Sequence, residues 1–490
     1  MSSRTVPMAI AATMLLVAAA CGQKPGVATE GIPVSGLGGA PVAVDPETGE
    51  IIDPTTGETI ALPGDTTGST STTGSTGTTT TTGSSSSSGT TSGGTGSSTP
   101  AGSSTPAAGD APTGGNSTGV TEDTITLGSH APLTGAAPVP SDSAFKGAEI
   151  YWRWLHEVQN KTLFGRRVRV ILKNDNYNPS QAVAVCKEMV ERDKVFLLSG
   201  LAGTDQLQAC ARYAESVGVP YMSAGVTEIG LTGLRTYFAT TMTYPDQAPL
   251  LADYMVNRLG AKGEKNGMVR FDTPNFQDAH DAFVAAMKQR GIELDYDRAV
   301  SKGADATVAT TVVQEMRSAG IENVYVLTSP VWFIELMKAS NAQQYAPQYV
   351  GVGITMTFDT ILTASCPSGP AVDGSQFFSP FPAYIDSNKY DPNFRQAAAR
   401  LYPNKTPDDF MWLGWMAAKA LHQMLMLPGE NLTRERYIYF LERARGLKTG
   451  IGPDLNFSPT DHFGADQVHV SEARCSDRRW HTIIDFARDF

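Results

Sequence analysis

Five cysteines and seven histidines are the residues of this 490-residue chain whose types suit covalent, redox or metal chemistry. Cys21 stands alone near the start, and Cys186, Cys210, Cys366 and Cys475 are far apart, so no CxxC pair is available to a zinc site or a dithiol redox centre. The histidines are scattered, with His280 and His481 in ordinary helix and strand contexts. His130, just before Pro132-Leu-Thr-Gly135, either faces a cleft or makes a satisfied polar contact. The folded part has no GxSxG, HExxH, GxxxxGK[ST] or strand-following GxGxxG motif. The chain is therefore expected not to be an enzyme, and to need no metal and no cofactor.

Cys21 follows a thirteen-residue apolar run, Met8 to Ala20, preceded by Arg4. That run falls short of the roughly 20 residues that span a bilayer and has the layout of a secretory signal. With small residues Ala18 to Ala20 before Cys21 and Gly22 after it, the segment resembles the bacterial lipoprotein signal, although Ala18 stands where that motif prefers leucine. This implies a signal peptide over 1–20, a lipidated Cys21, and attachment to the membrane through that lipid alone.

Beyond it, residues 22–121 carry eight acids and one lysine, so most of the formal net charge of -11 lies there and the remainder is only mildly acidic. This balance excludes a basic nucleic-acid binder. Every residue from Thr66 to Thr99 is Gly, Ser or Thr, a composition that cannot bury enough apolar surface to offset its chain entropy. Residues 21–121 are expected to form a disordered tether with an end-to-end distance on the order of 55 Å. O-glycosylation and a plain linker both fit it. A short repeat, Asp45-Pro-Glu-Thr-Gly-Glu-Ile-Ile52 then Asp53-Pro-Thr-Thr-Gly-Glu-Thr-Ile60, reads as a turn-rich linker or a docking motif.

An exported chain lives where disulfides persist. The four remaining cysteines allow three connectivities, of which Cys186 with Cys210 and Cys366 with Cys475 is expected, each pair within its own half.

What must position any site is an alternation of strands and helices over 122–490, enough chain for two lobes. Strands are predicted at 124–128, 168–172, 195–198 and 220–223, separated by helices at 145–158, 180–192 and 205–217. The rhythm restarts with helices at 246–259, 277–290, 306–319 and 331–339 and strands at 267–271, 293–300, 323–327 and 348–352. Such units form right-handed crossovers and parallel sheets, an α/β architecture of two open lobes whose ligands bind beyond the carboxyl ends of the strands.

Several segments then point to one family. Gly119-Val-Thr-Glu-Asp-Thr-Ile-Thr-Leu-Gly128, Ala131-Pro-Leu-Thr-Gly135, Lys146-Gly-Ala-Glu-Ile150, Asp175-Asn-Tyr-Asn-Pro179, Ser199-Gly-Leu-Ala-Gly-Thr204, Val219-Pro-Tyr-Met-Ser-Ala-Gly-Val-Thr227 and Gly452-Pro-Asp-Leu-Asn-Phe-Ser-Pro-Thr-Asp-His462 occur in order. Together they resemble substrate-binding proteins of the branched-chain amino acid ABC transporter family. The resemblance implies a type I periplasmic binding fold, with lobe 1 formed by 122–242 and 376–450 and lobe 2 by 243–375 and 451–490. Three hinge crossings are implied near Thr241 to Tyr244, Gln376 to Phe381 and Ile451 to Asn456. On that division each expected disulfide stays within one lobe.

The resemblance also implies a ligand site. Gly203 and Thr204 in one loop, and Gly225, Val226 and Thr227 in another, match positions that hold the ligand carboxylate, where helix starts offer unpaired amides. Read without the resemblance, the hydroxyls are ordinary helix caps. Phe276, and Ser329 with Trp332, match aromatic-bearing positions of the second lobe; as core residues they would need no such role. Two departures bear on the ligand. The acid that meets an amino acid's ammonium should fall at about Gly353, and the loop Ala136-Ala-Pro-Val-Pro-Ser141 lacks the covering aromatic. An uncompensated buried ammonium is costly, so a simple amino acid would need Asp272, Glu335 or Asp359 instead. A small carboxylate or carbonyl-bearing ligand is expected, amino acid or not.

Two purposes fit such a module. A monomer that delivers its ligand to an ABC permease and its ATPase is the first; a tethered sensor that signals to a membrane receptor is the second.

Overall fold

The computed structural model describes residues 111–135, 141–223, 230–353, 356–450 and 452–490, together with three short strands nearer the start. Those strands are β1 (Ile32–Pro33), β2 (Pro41–Val44) and β3 (Ile51–Ile52), which pair antiparallel in the order β1-β2-β3. They fall inside the stretch expected to be a featureless tether. Short apolar steps, Val42-Ala43-Val44 against Ile51-Ile52, interrupt the polar composition around them. Cys21, most of the Asp-Pro repeat and the Gly/Ser/Thr tract lie outside the described residues.

The first lobe is a five-stranded parallel sheet in the order β5-β4-β6-β7-β8. Its strands are β4 (Thr124–Ala131), β5 (Arg167–Asn174), β6 (Leu197–Gly200), β7 (Tyr221–Ser223) and β8 (Tyr237–Ala239). Helices α1 (Ser141–Arg153), α2 (Pro179–Glu191) and α3 (Thr204–Ser216) connect them. Local chemistry explains the starts: Asn178 caps α2 by accepting the Gln181 N–H at 3.0 Å, and Pro179 occupies the first helical position. Strand β6 begins at Leu197, two residues later than the apolar run suggested. The carbonyls of Val195 and Phe196 are instead taken by the buried Arg434 guanidinium, at 2.8 and 3.0 Å.

The second sheet runs β10-β9-β11-β12-β13-β14-β15. It contains β9 (Asn266–Phe271), β10 (Tyr296–Val300), β11 (Asn323–Leu327), β12 (Gln348–Val352) and β13 (Gln376–Ser379), with α4 (Tyr244–Arg258), α5 (Pro274–Gln289), α6 (Ala306–Ala319), α7 (Pro330–Ala342) and α8 (Asp359–Ser365) between them. Through β13 it is parallel, as expected. It ends in an antiparallel pair, β14 (Val468–Arg474) and β15 (Arg479–Ala487), because four residues between strands allow only a hairpin.

Between β13 and β14 the chain returns to the first lobe as α9 (Ser387–Tyr390), α10 (Asn393–Leu401), α11 (Asp409–Met426) and α12 (Arg434–Leu441). Helix α11 lies against α1 with backbones nearly touching. A β-carbon on Gly147 would collide with the Met411 carbonyl, and one on Gly414 with the Ala144 carbonyl, so the two glycines set the closeness of the pair. The chain passes between sheets at 240–243, just after β13, and again before β14. That last passage runs over 465–467 rather than 451–456, because Ala239 of β8 still donates to the His462 carbonyl and accepts from Gly464 N–H, both at 2.9 Å.

Both expected disulfides are formed. Cys186–Cys210 joins α2 to α3 with Cα atoms 6.2 Å apart, and Cys366–Cys475 ties the end of α8 to the β14–β15 turn at 5.5 Å.

Candidate functional site

Segments that follow the carboxyl ends of strands in both sheets approach one another, Lys302 after β10 pairing with Asp205 after β6; polar side chains gather near this end of the first lobe and aromatic ones near that of the second. In the first lobe, the turn after β4 is held by Asn174, whose Oδ1 accepts the Leu133 N–H at 3.0 Å, and by Asn176, whose Oδ1 accepts the Thr134 hydroxyl at 2.7 Å. Gly203 precedes α3 with φ of 86°, a left-handed value that favours glycine, and Thr204 is the first helical residue. Gly225, Val226 and Thr227 lie outside the described residues, as does most of the loop after Gly135.

His130 is fully buried. Its Nδ1 is 2.8 Å from Asp175 Oδ2, and its Nε2 is 2.7 Å from the Tyr221 hydroxyl. Tyr221 stacks on Tyr237, whose hydroxyl bonds Ser223 Oγ at 2.7 Å, and burial pushes both phenols well above their ordinary range. With both ring nitrogens engaged and no exposed surface, His130 has the satisfied polar contact and does not line the cleft. His130 also approaches Cys186 and Cys210, but those sulfurs are joined to each other and the trio is no metal centre.

In the second lobe, Phe276 is half-buried and belongs to a run of rings: Tyr244 to Phe276 at 6.0 Å between centroids, Phe276 to Phe271 at 6.4 Å, and Phe271 to Trp332 at 6.0 Å. Ser329 caps α7 by accepting the Trp332 N–H at 3.3 Å. The Trp332 ring is buried in the core of the lobe, and its Nε1–H has no partner among the described residues. Gly353, directly after β12, has φ of 140°, and a β-carbon there would lie 3.1 Å from Met356 Cγ and 3.4 Å from the Tyr244 hydroxyl.

The alternative acids differ in availability. Asp359 is held by Arg479 Nη1 at 2.6 Å and the Trp480 N–H at 3.0 Å, and Glu335 pairs with Lys338 at 2.7 Å. Asp272 is exposed at the end of β9.

Among the contacts between the lobes are two that leave no signal in the sequence. At the strand ends, Lys302 of lobe 2 pairs with Asp205 of lobe 1 at 2.5 Å and lies 5.0 Å over the Tyr177 ring. Deeper in, the Phe358 and Phe410 rings lie 3.9 Å apart, and Asp409 accepts the Asp359 N–H at 2.5 Å. A lysine in a turn and an aspartate in the first turn of α3 leave no periodic signal that would pair Lys302 with Asp205. Phe410 opens a mostly apolar stretch, 410–427, that Asp408 announces as a capped helix.

Known proteins match this arrangement. The family model for periplasmic binding proteins matches residues 124–478. A Leu/Ile/Val-binding protein homolog from Brucella melitensis is 31% identical over 206 residues, 41% of this chain and 53% of that protein, so the match spans about half of the relative's length. An amino acid binding protein from Pseudomonas aeruginosa is 26% identical over 266 residues, covering 48% of this chain and 67% of that protein. Among solved structures, a fatty acid ABC transporter substrate-binding protein from Thermomonospora curvata superposes with TM-score 0.64 at 19% identity, over 76% of this chain and 94% of the other. A branched-chain amino acid ABC transporter protein from Thermus thermophilus with bound valine gives 0.63 at 18%, over 75% and 97%. These are binding proteins rather than enzymes, and with a matching family model that runs from the first strand of lobe 1 into the final hairpin of lobe 2, the chain belongs to the periplasmic binding protein family.

Proposed function

We propose that this protein is an extracytoplasmic solute-binding component of an ABC transporter, anchored by a lipid on Cys21 and extended on its Gly/Ser/Thr-rich tether. It takes a small carboxylate or carbonyl-bearing ligand between its lobes and passes it to a permease and its ATPase. Gly203, Thr204, Gly225, Val226 and Thr227 receive the ligand's anionic or carbonyl end through helix-start amides and hydroxyls. Phe276, Ser329 and Trp332 contribute the opposite wall, with the Trp332 N–H, unpartnered among the described residues, as a donor. Two disulfides suit an oxidising compartment, and among the described residues no helix is long and apolar enough to cross a membrane.

The observation that carries the ligand class is Gly353. A left-handed backbone crowded by Met356 and Tyr244 stands where an ammonium-binding acid is expected, and two of the three substitute acids are already paired. A ligand without an ammonium leaves no buried charge unanswered.

A thermal-shift screen of the protein against amino acids, short amides, urea and small organic acids tests this, since a ligand raises the unfolding temperature by mass action. Stabilisation by organic acids or amides, with the ligand recovered unchanged, is the expected result. Stabilisation by amino acids alone would reject the ligand class. Chemical alteration of the ligand would reject the binding-protein reading.

A further inference from the structure

Two carboxylates from different lobes converge in the apolar contact between them. Asp359 is the first residue of α8 in lobe 2, and Asp409 is the first residue of α11 in lobe 1. Asp409 Oδ2 accepts the Asp359 N–H at 2.5 Å, which makes this a hydrogen bond across the lobes. Around it, Phe358 and Phe410 lie ring to ring, packed with Ala144 and Leu413.

The two acids are not equivalently compensated. Asp359 has the Arg479 guanidinium and the Trp480 N–H. Asp409 has the Asp359 N–H and, on Oδ1, its neighbour Phe410 N–H at 2.9 Å; among the described residues no cation lies within ion-pair distance of it. The other ionisable groups facing the contact are Asp408, which accepts the Ser143 hydroxyl and the Met411 N–H, Arg479, which is committed to Asp359, and Asp477 and Tyr384 beyond it. In this arrangement Asp409 is buried beside a second carboxylate, Asp359, with a third, Asp408, at the start of its own helix.

We propose that the Asp359–Asp409 contact is a proton-sensitive latch: in the closed arrangement Asp409 carries a proton, so acid favours closure and alkali favours opening. Burial first, and the Asp359 charge second, push Asp409 up to about 7. When the lobes part, the group regains water and its ordinary value near 4. The sign follows by linkage. The closed form binds the proton more tightly, so closure gains as pH falls through about 7 and loses that gain as pH rises above it. The proposal requires only that the lobes separate, and it stands whether or not the ligand is a carboxylate.

The test is hydrogen exchange at the Asp359 amide, the donor in the latch, in the full unliganded chain at pH 6 and pH 8, corrected for the intrinsic pH dependence of exchange. The expected result is about tenfold greater protection at pH 6. Asp409→Asn keeps an oxygen acceptor and discards the charge, so its amide should show the pH 6 level of protection at both pH values. Equal protection of the unmodified protein at the two pH values, or an Asn variant that retains the original pH dependence, overturns the latch. Small-angle scattering provides a reading that needs no variant: the radius of gyration should be smaller at pH 6, and equal radii would also overturn it.

Discussion

A β-carbon on Gly353 would sit 3.4 Å from the Tyr244 hydroxyl, on a backbone whose φ of 140° L-residues rarely adopt. An acidic side chain at this position is thus disfavoured by the backbone as well as by its neighbours. Gly353→Glu should lower stability by about 1–3 kcal/mol, the usual cost of such a backbone, and should add no affinity for leucine. Urea unfolding and calorimetric titration read the two effects. An undiminished stability with new leucine binding would show that the loop accepts the acid readily.

His130 and Asp175 form a fully buried pair whose partners are all internal. Replacing the ring with Phe leaves the Asp175 carboxylate buried without its main partner, and the expected loss is about 3–5 kcal/mol. Denaturant unfolding of His130→Phe measures it. A loss under about 1 kcal/mol would mean that Asp175 is readily hydrated in the variant.

Much of this architecture was legible in the sequence because one period dominates each segment. The strands near 124–128, 267–271, 323–327 and 348–352 and the helices between them occupy the expected places, since their apolar residues alternate or recur on one face. The lone-standing cysteines also paired as expected, half by half. What stayed hidden is structure specified by partners far along the chain. Helix α11 is buried almost all round, so it has little amphipathic contrast, and its fit to α1 depends on Gly147 meeting residues 264 positions away. Strand β8 is three residues long and gains its place from His462 and Gly464. Ser329 and Trp332 are proposed for the site through family likeness, not through any periodic signal. The meeting of Asp359 with Asp409 and of Lys302 with Asp205 needs the two lobes in space.

The disulfides close loops of different length, with separations of 24 and 109 residues. On the chain-entropy account, replacing Cys366 and Cys475 together by Ser should lose about 5 kcal/mol, against about 3.5 kcal/mol for Cys186 and Cys210. Unfolding of the two double variants gives the order directly. The reverse order would assign the stabilisation to local strain or packing in place of loop closure.

Two histidines set an acid limit. Burial pushes His422 and His469 down to about 4, and the Asp485 carboxylate 3.6 Å from His469 does not offset this, since it is half-exposed and shared with Lys389 and Tyr390. A histidine whose folded value is depressed loses stability as pH falls from its unfolded value near 6.5 towards 4, because the unfolded chain takes up the proton first. For the fully buried His469 the loss should reach about 2–3 kcal/mol by pH 4. His469→Gln should flatten the fall in unfolding temperature over that window; an unchanged slope would place the acid sensitivity elsewhere. Asp409 works in the opposite direction, its contribution growing as pH falls through about 7.

The ligand class is tested most directly by isothermal titration of the protein with matched pairs, each amino acid beside the carboxylic acid that lacks only its ammonium. If Gly353 marks a pocket with no counter-charge for that group, at least one deaminated acid binds at least about a hundredfold more tightly than its parent amino acid, the scale of an unanswered buried charge. Equal or tighter binding of the parent amino acid would contradict the account and point to Asp272, the acid left exposed at the end of β9, as the ammonium's partner.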